Sequence, residues 1–428
     1  MLKIDHIKNM TVMAVIAMAV IVFSSCGKAQ NIPDTMSYIP GQDMQYFQYT
    51  EYNKNAYVQE TETGCYFYRD HFIYYLNREE KQIYPLCSKP NCLHDKETDP
   101  EMKKNCSAYL ARMKYSSGNG NSSPVSLMLY EDYLYIAYET IWNTVNDVFS
   151  QPSCICRIKL DGSEQDVFFE TSKILLSIVH RGYIYFQRAR SSVDDESIHT
   201  EYLLSRIKTG ELFPKEELIS SLEAKHTMPS LLRAFGNYVY FDTSGLDDEG
   251  NPGSTGVYNI HTGELEITDK IGIRPIWFNG RLYWKTNTRE GSVESLLKAP
   301  VPIVSSDYKG DDLRVEMEGV YNSSTLYCDG KYLYVSNNSI RYFLPDEINC
   351  LKIYDKELKL IDEAVVPEIN DINENPLLAV IDSPIGGSGY QYLPYEDEES
   401  GEWGVLVWDK SEIGTLHGSF YTQQKIVY

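Results

Sequence analysis

The sequence predicts an all-β fold: a β-propeller of seven four-stranded antiparallel blades, six plain repeats and one degenerate. Three observations predict it. The first is a short aromatic strand that recurs behind a tight turn. Its clearest copy is Tyr327-Cys-Asp-Gly-Lys-Tyr-Leu-Tyr-Val-Ser336. The other copies are Arg69-Asp-His-Phe-Ile-Tyr-Tyr75, Glu131-Asp-Tyr-Leu-Tyr-Ile136, Arg181-Gly-Tyr-Ile-Tyr-Phe186, Gly236-Asn-Tyr-Val-Tyr-Phe241 and Asn279-Gly-Arg-Leu-Tyr-Trp284. Their tyrosines, Tyr74, Tyr135, Tyr185, Tyr240, Tyr283 and Tyr334, stand 61, 50, 55, 43 and 51 residues apart. A recurring interval of this size marks a repeat architecture.

The second observation lies about 20 to 26 residues downstream of each copy. Cys156-Arg-Ile-Lys-Leu-Asp-Gly162, Ser205-Arg-Ile-Lys-Thr-Gly210, Val257-Tyr-Asn-Ile-His-Thr-Gly263 and Leu351-Lys-Ile-Tyr-Asp-Lys356 each read as a strand entering a turn. Asp-Gly and Thr-Gly supply the left-handed positions that such turns require. One period therefore holds about four strands, the content of a propeller blade. The third observation is length, because seven such periods fill the chain. The seventh rests on Gly389-Tyr-Gln-Tyr-Leu393 and Trp403-Gly-Val-Leu-Val-Trp-Asp-Lys410. Two β-sandwiches of similar composition are the alternative. They do not explain why turn residues recur at matching places.

The elements follow in chain order. Residues 1–25 read as a signal peptide: Lys3 and Lys8 precede the uncharged apolar run from Thr11 to Phe23, which is too short for a typical spanning helix. It ends in Phe23-Ser-Ser-Cys26. Small residues before a cysteine resemble the lipobox of bacterial lipoproteins, in which that cysteine is acylated; here the family's usual Leu is replaced by Phe23. The resemblance implies lipidation at Cys26, with the membrane as a partner and the extracytoplasmic face of the cell membrane as the location. Two acyl chains give stable anchoring. Residues 26–55 are then the lipidated cysteine and its tether, and residues 56–428 the propeller. A strand near Ala56-Tyr-Val-Gln-Glu60 is expected to complete the last blade and close the ring.

The first blade departs from the pattern. Its strand Lys81-Gln-Ile-Tyr-Pro-Leu86 leads into Cys87-Ser-Lys-Pro-Asn-Cys-Leu-His-Asp95 and later Asn105-Cys-Ser-Ala-Tyr109. Cys87, Cys92, His94 and Cys106 form a Cys-x4-Cys-x-His-x11-Cys set. Three thiolates and an imidazole suit zinc, and four protein ligands would make the site structural. The alternative is one or two disulfides, since the eight cysteines after Cys26 make an even number in an exported chain. Cys154 and Cys156 share a strand face and are expected to pack or to partner a cysteine on a neighbouring strand, and Cys328 and Cys350 are not expected to face each other across a hairpin.

Further on, loops are expected at Asn143–Pro152, Arg190–Thr200, Thr243–Gly256, Asp307–Asp312, Asn337–Asn349 and Glu396–Glu402. Loops on one rim of a propeller form its binding surface. Trp142, beside blade two, is a candidate for stacking on a sugar or peptide. The acidic clusters at Asp194–Glu196, Asp247–Gly250, Asp311–Asp312 and Glu396–Glu399 match no calcium motif and read as solvated charge.

The net charge of −22, or −23 without residues 1–25, excludes binding of nucleic acid through its phosphates. No residues form a recognisable catalytic motif. The lipobox, the Cys-x4-Cys-x-His-Asp element and the Tyr repeats together resemble uncharacterised exported lipoproteins of Gram-positive gut bacteria, with blades in the style of the TolB-like propellers. That resemblance implies a propeller and no particular activity. The expected function is a binding module for a glycan, peptide or envelope partner. The alternative is an enzyme degrading extracellular polysaccharide or peptide at the channel mouth.

Overall fold

The repeated strand and its turn determine the architecture. The computed structural model describes residues 32–45, 58–113, 124–140, 152–193, 198–223, 231–242, 254–272, 274–286, 299–322, 324–336, 350–365, 387, 389–396, 400–414 and 424–428. Met1–Asp34 and Thr35–Tyr428 are separate units, and the second holds the β structure. It forms seven antiparallel sheets: six of four strands and a seventh of which three strands are described. This is a seven-bladed β-propeller. Its innermost strands, among them Val58–Glu60, Ser126–Tyr130, Ile174–His180 and Leu232–Phe235, adjoin one another around the ring.

In blades two to six the repeated tyrosine lies on the second strand, and Tyr135, Tyr185, Tyr240, Tyr283 and Tyr334 are all buried. The core lies between blades. Met128, Tyr130 and Tyr135 of the second blade pack against Ile174, Val179 and Phe186 of the third. Tyr327, Tyr334 and Ile353 of the sixth pack against Trp408 of the seventh. An aliphatic–Tyr–apolar strand is buried on both faces because a blade has a neighbour on each side.

Turn chemistry sorts the connections onto two faces. First and second strands are joined by tight turns, in which Glu131, Arg181 and Asn279 take φ of 50°, 46° and 47°. The turns from third to fourth strand lie at the same end: Leu160 N–H donates to the Asp132 carbonyl, and Ile260 N–H to that of Asn237. Connections from second to third strand must then lie at the opposite end. These include the long ones, from Glu139 to Ser153, Asp242 to Thr255, Lys285 to Pro300 and Ser336 to Cys350. Most of their residues lie outside the described ones, as does Trp142.

Several expectations are corrected. The Val58–Glu60 strand does not complete the last blade. It pairs with Gly64–Arg69 in the first sheet, with Val58 opposite Phe67. Tyr74 therefore falls on the third strand of its blade, not the second. Arg190–Val193 and Ile198–Thr200 are strand and not loop, because Tyr183–Val193 and Ile198–Lys208 stay paired out to Val193 opposite Ile198; residues 194–197 lie outside the described ones. Asp307–Asp312 is a compact turn in which Asp311 meets Lys270 and Asp312 meets Arg281 and Arg314. Thr35–Gln45, assigned to the tether, belongs to the body. Cys154 and Cys156 are buried thiols, as expected of packing residues. Cys328 and Cys350 are on strands separated by Leu333–Ser336, and Cys328 Sγ lies 3.3 Å from the Trp277 carbonyl.

Candidate metal centre

The insertion after the first blade folds as a short knuckle. Pro85 ends the fourth strand, and beyond it Leu86 N–H donates to the Ile73 carbonyl. Cys87 follows at once. Asn91 and His94 take left-handed φ of 60° and 54°, which bends the chain back on itself. A one-turn helix, Pro100–Lys103, is capped by the Asp99 carboxylate accepting from Glu101 N–H at 2.9 Å. Cys106 N–H then donates to the Lys103 carbonyl. The exit of the insertion is held against the first blade by Ile73 N–H donating to Ala108 and Leu110 N–H to His71.

This path brings together all four residues singled out from the sequence. The ligand atoms of Cys87, Cys92, His94 and Cys106 lie within 4.8 Å of one another. Cys106 Sγ stands 3.6 Å from His94 Nδ1. A tetrahedral ion with metal–sulfur bonds of about 2.3 Å has ligand atoms roughly 3.8 Å apart. The cluster is of the size that can hold a metal ion. The three cysteines are free thiols, Cys106 buried and the other two half-buried.

The electrostatics differ from ligand to ligand. Burial works to raise the Cys87 thiol, but hydrogen bonds from the Lys89 and Ser107 backbone and from the Cys106 and Cys92 thiols hold it below the usual thiol range. Burial pushes the Cys106 thiol well above that range. Burial also lowers the His94 imidazole and so favours its neutral, metal-binding form.

A second polar cluster was not legible in the sequence. Arg181, in the tight turn of the third blade, makes a two-point contact with Asp43: Nε to Oδ1 at 2.7 Å and an NH2 to Oδ2 at 3.2 Å. It also donates to Asn237 Oδ1 at 2.7 Å. Beside it His180 is fully enclosed. Its Nδ1 accepts from Met44 N–H at 3.2 Å and its Nε2 donates to the Gly236 carbonyl at 2.7 Å. Burial drives its pKa down to about 4, against the opposing pull of Asp43. Gln45 then bonds both the N–H and the carbonyl of Glu60. Thr35–Gln45 is thereby fastened to the tight-turn ends of blades three and four and to the inner strand of blade one. Arg181-Gly182 reads as an ordinary turn, and Asp43 lies 138 positions away, so no local signal connects them.

Cys26 lies outside the described residues. Trp277, Trp284 and Trp408 are buried in the blades. Trp403 stacks on Tyr428 with ring centroids 4.3 Å apart.

No protein-family model and no curated protein matches the chain. Solved propeller-containing structures do. The β-propeller domain of the Trilobed protease from Pyrococcus furiosus is 13% identical at a TM-score of 0.45, covering 72% of this chain and 85% of that one. The acylaminoacyl peptidase of Pyrococcus horikoshii is 11% identical at a TM-score of 0.41, covering 67% of this chain and 44% of that one. A candidate 6-phosphogluconolactonase from Bacteroides uniformis is 13% identical at a TM-score of 0.40, covering 86% and 94%. At these identities the likeness concerns the fold alone.

Proposed function

We propose that the chain is a lipid-anchored extracytoplasmic propeller that binds a glycan, peptide or envelope protein on the rim of long connections. The observation that carries this reading is the fastening of Thr35–Gln45 to the face of tight turns. Cys26 stands nine residues before Thr35. A chain of that length reaches at most about 30 Å. An acylated Cys26 therefore keeps the tight-turn face near the lipid and leaves the long connections facing outward. The resemblance of Phe23-Ser-Ser-Cys26 to a lipobox supports the anchor. The TolB-like style of the repeats supports the propeller architecture.

The test has two parts. Cys26→Ala is expected to move the protein from the membrane fraction to the soluble one; retention in the membrane would make the apolar segment itself the anchor. The lipidated protein, screened against defined arrays of cell-wall glycans and peptides, is expected to retain a ligand without altering it. Turnover of an array member would replace the binding module with an enzyme.

A further inference from the structure

We propose that Cys87, Cys92, His94 and Cys106 bind one zinc ion that clasps the propeller ring shut, joining the first, second and last blades. The donor set and its size argue for the ion. Three sulfurs and an imidazole nitrogen converge within 4.8 Å. A disulfide would use two of the sulfurs and leave the third, with His94, converging on nothing. Zinc uses all four at once, and with four protein ligands its coordination is closed to substrate.

The surroundings of the knuckle argue for the clasp. On one side it abuts the second blade. Ser88 N–H donates to the Gly162 carbonyl at 3.1 Å. Gly162 has φ +70°, and a Cβ there would stand 2.8 Å from the Cys87 nitrogen. Only glycine lets the Cys87 backbone approach this closely. On the other side the knuckle grips the seam where the chain ends. Asp95, next to His94, accepts from Tyr74 OH at 3.0 Å and from Tyr428 OH at 2.9 Å. The Lys96 ammonium stands 5.7 Å from the Tyr428 ring. Tyr428 stacks on Trp403, and Tyr74 meets Trp403 edge-on at 4.9 Å. Tyr428 directly follows the Gln424–Val427 strand of the last blade, and Tyr74 belongs to the first.

Among the described residues, no strand pairs the first blade with the last. The Val58–Glu60 strand pairs within the first sheet. Among the described residues the first and last blades meet through side chains: Phe67, Tyr74 and Arg69 pack on Trp403, and Arg78 bonds Tyr392. A knuckle locked by metal holds Asp95 in place to receive both tyrosines. Without metal the knuckle loses its cross-link, and Tyr428, at the end of the last strand, loses its hold on Asp95.

The experiment uses the full chain, purified in detergent with no added metal. Native mass and metal analysis are expected to give one zinc per chain that survives gel filtration. A strong chelator should expose three reactive thiols, at Cys87, Cys92 and Cys106. Cobalt reconstitution should give the thiolate charge-transfer and intense visible bands of a tetrahedral site. Hydrogen exchange should then rise at least tenfold at Gln424–Val427 on chelation, with Leu232–Phe235 across the ring unchanged. A metal-free protein lighter by two hydrogens would overturn the site in favour of a disulfide, as would zinc lost on gel filtration. Bound zinc whose removal leaves exchange at Gln424–Val427 unaltered would overturn the clasp. Because a cysteine variant could fail to fold, Asp95→Asn is the second probe. It should keep the zinc and lose the protection of Gln424–Val427; unchanged protection would again overturn the clasp.

Discussion

His180 shows at the scale of one residue how burial becomes a pH response. The ring is fully enclosed, with a backbone donor on Nδ1 and a backbone acceptor on Nε2, so its neutral form fits and its charged form does not. Burial brings its pKa from 6.5 down to about 4 even with Asp43 alongside. Above pH 6.5 both folded and unfolded states carry a neutral ring, and the stabilisation is complete. Between pH 6.5 and 4 the unfolded chain takes up a proton that the folded chain refuses, so stability falls by up to about 1.4 kcal/mol per pH unit. Urea melts of the parent chain and of His180→Asn should diverge over that window, with the variant's curve shallower. Equal slopes would mean that another group carries the acid response. His180 is one of eight histidines spread along the sequence. Nothing local to it says that Met44 and Gly236 would occupy its two nitrogens.

At the scale of an element, Thr35–Gln45 has no regular secondary structure and is nonetheless built in. Asp43 and Arg181 are a buried, two-point ion pair. Removing one partner of such a pair costs about 3–5 kcal/mol, because the other charge is left in the interior. Chains beginning at Thr35 should melt with the full-length protein, whereas chains beginning at residue 46 should melt several degrees lower. Equal melting of the two truncations would show that Arg181 finds another partner. This element was misassigned from sequence because it lacks periodicity, and periodicity is what separates a strand from a tether in a bare sequence. The Arg190–Thr200 stretch failed for a related reason: its Arg-Ser-Ser-Val composition is polar, and the pairing of Val193 with Ile198 continues the ladder of the two strands beyond their apolar part. The Cys-His knuckle was legible because its candidate ligands lie close together in the chain and their types belong to one chemistry.

At the scale of the molecule, the two faces of the ring differ. One carries tight turns and the docked Thr35–Gln45 segment, the other the long connections. In vesicles, the lipidated protein should hold the tight-turn face toward the bilayer. A fluorophore placed through a clickable amino acid at position 262, in the turn beside Asn237, should be quenched by headgroup-borne quencher more strongly than one at position 400. Position 400 lies at the far end of its blade from Lys410, which bonds Asp329 in the tight turn of the sixth blade. Equal quenching would remove the orientation from the proposal.

The sequence by itself determined the blade and its number. Strand alternation, aromatic content and left-handed turn residues act over a few positions, and their return at a regular interval counts the blades. It also identified the four ligand candidates, because they converge over a short stretch of chain. Only the tertiary structure decided how the ring closes and which end of it the N-terminal segment holds. Both depend on partners far apart in the chain: Asp95 with Tyr428, Gly162 with Cys87, Asp43 with Arg181. Such contacts are set by how the blades come to face one another after each has formed, and they leave no periodic trace in the residues that make them.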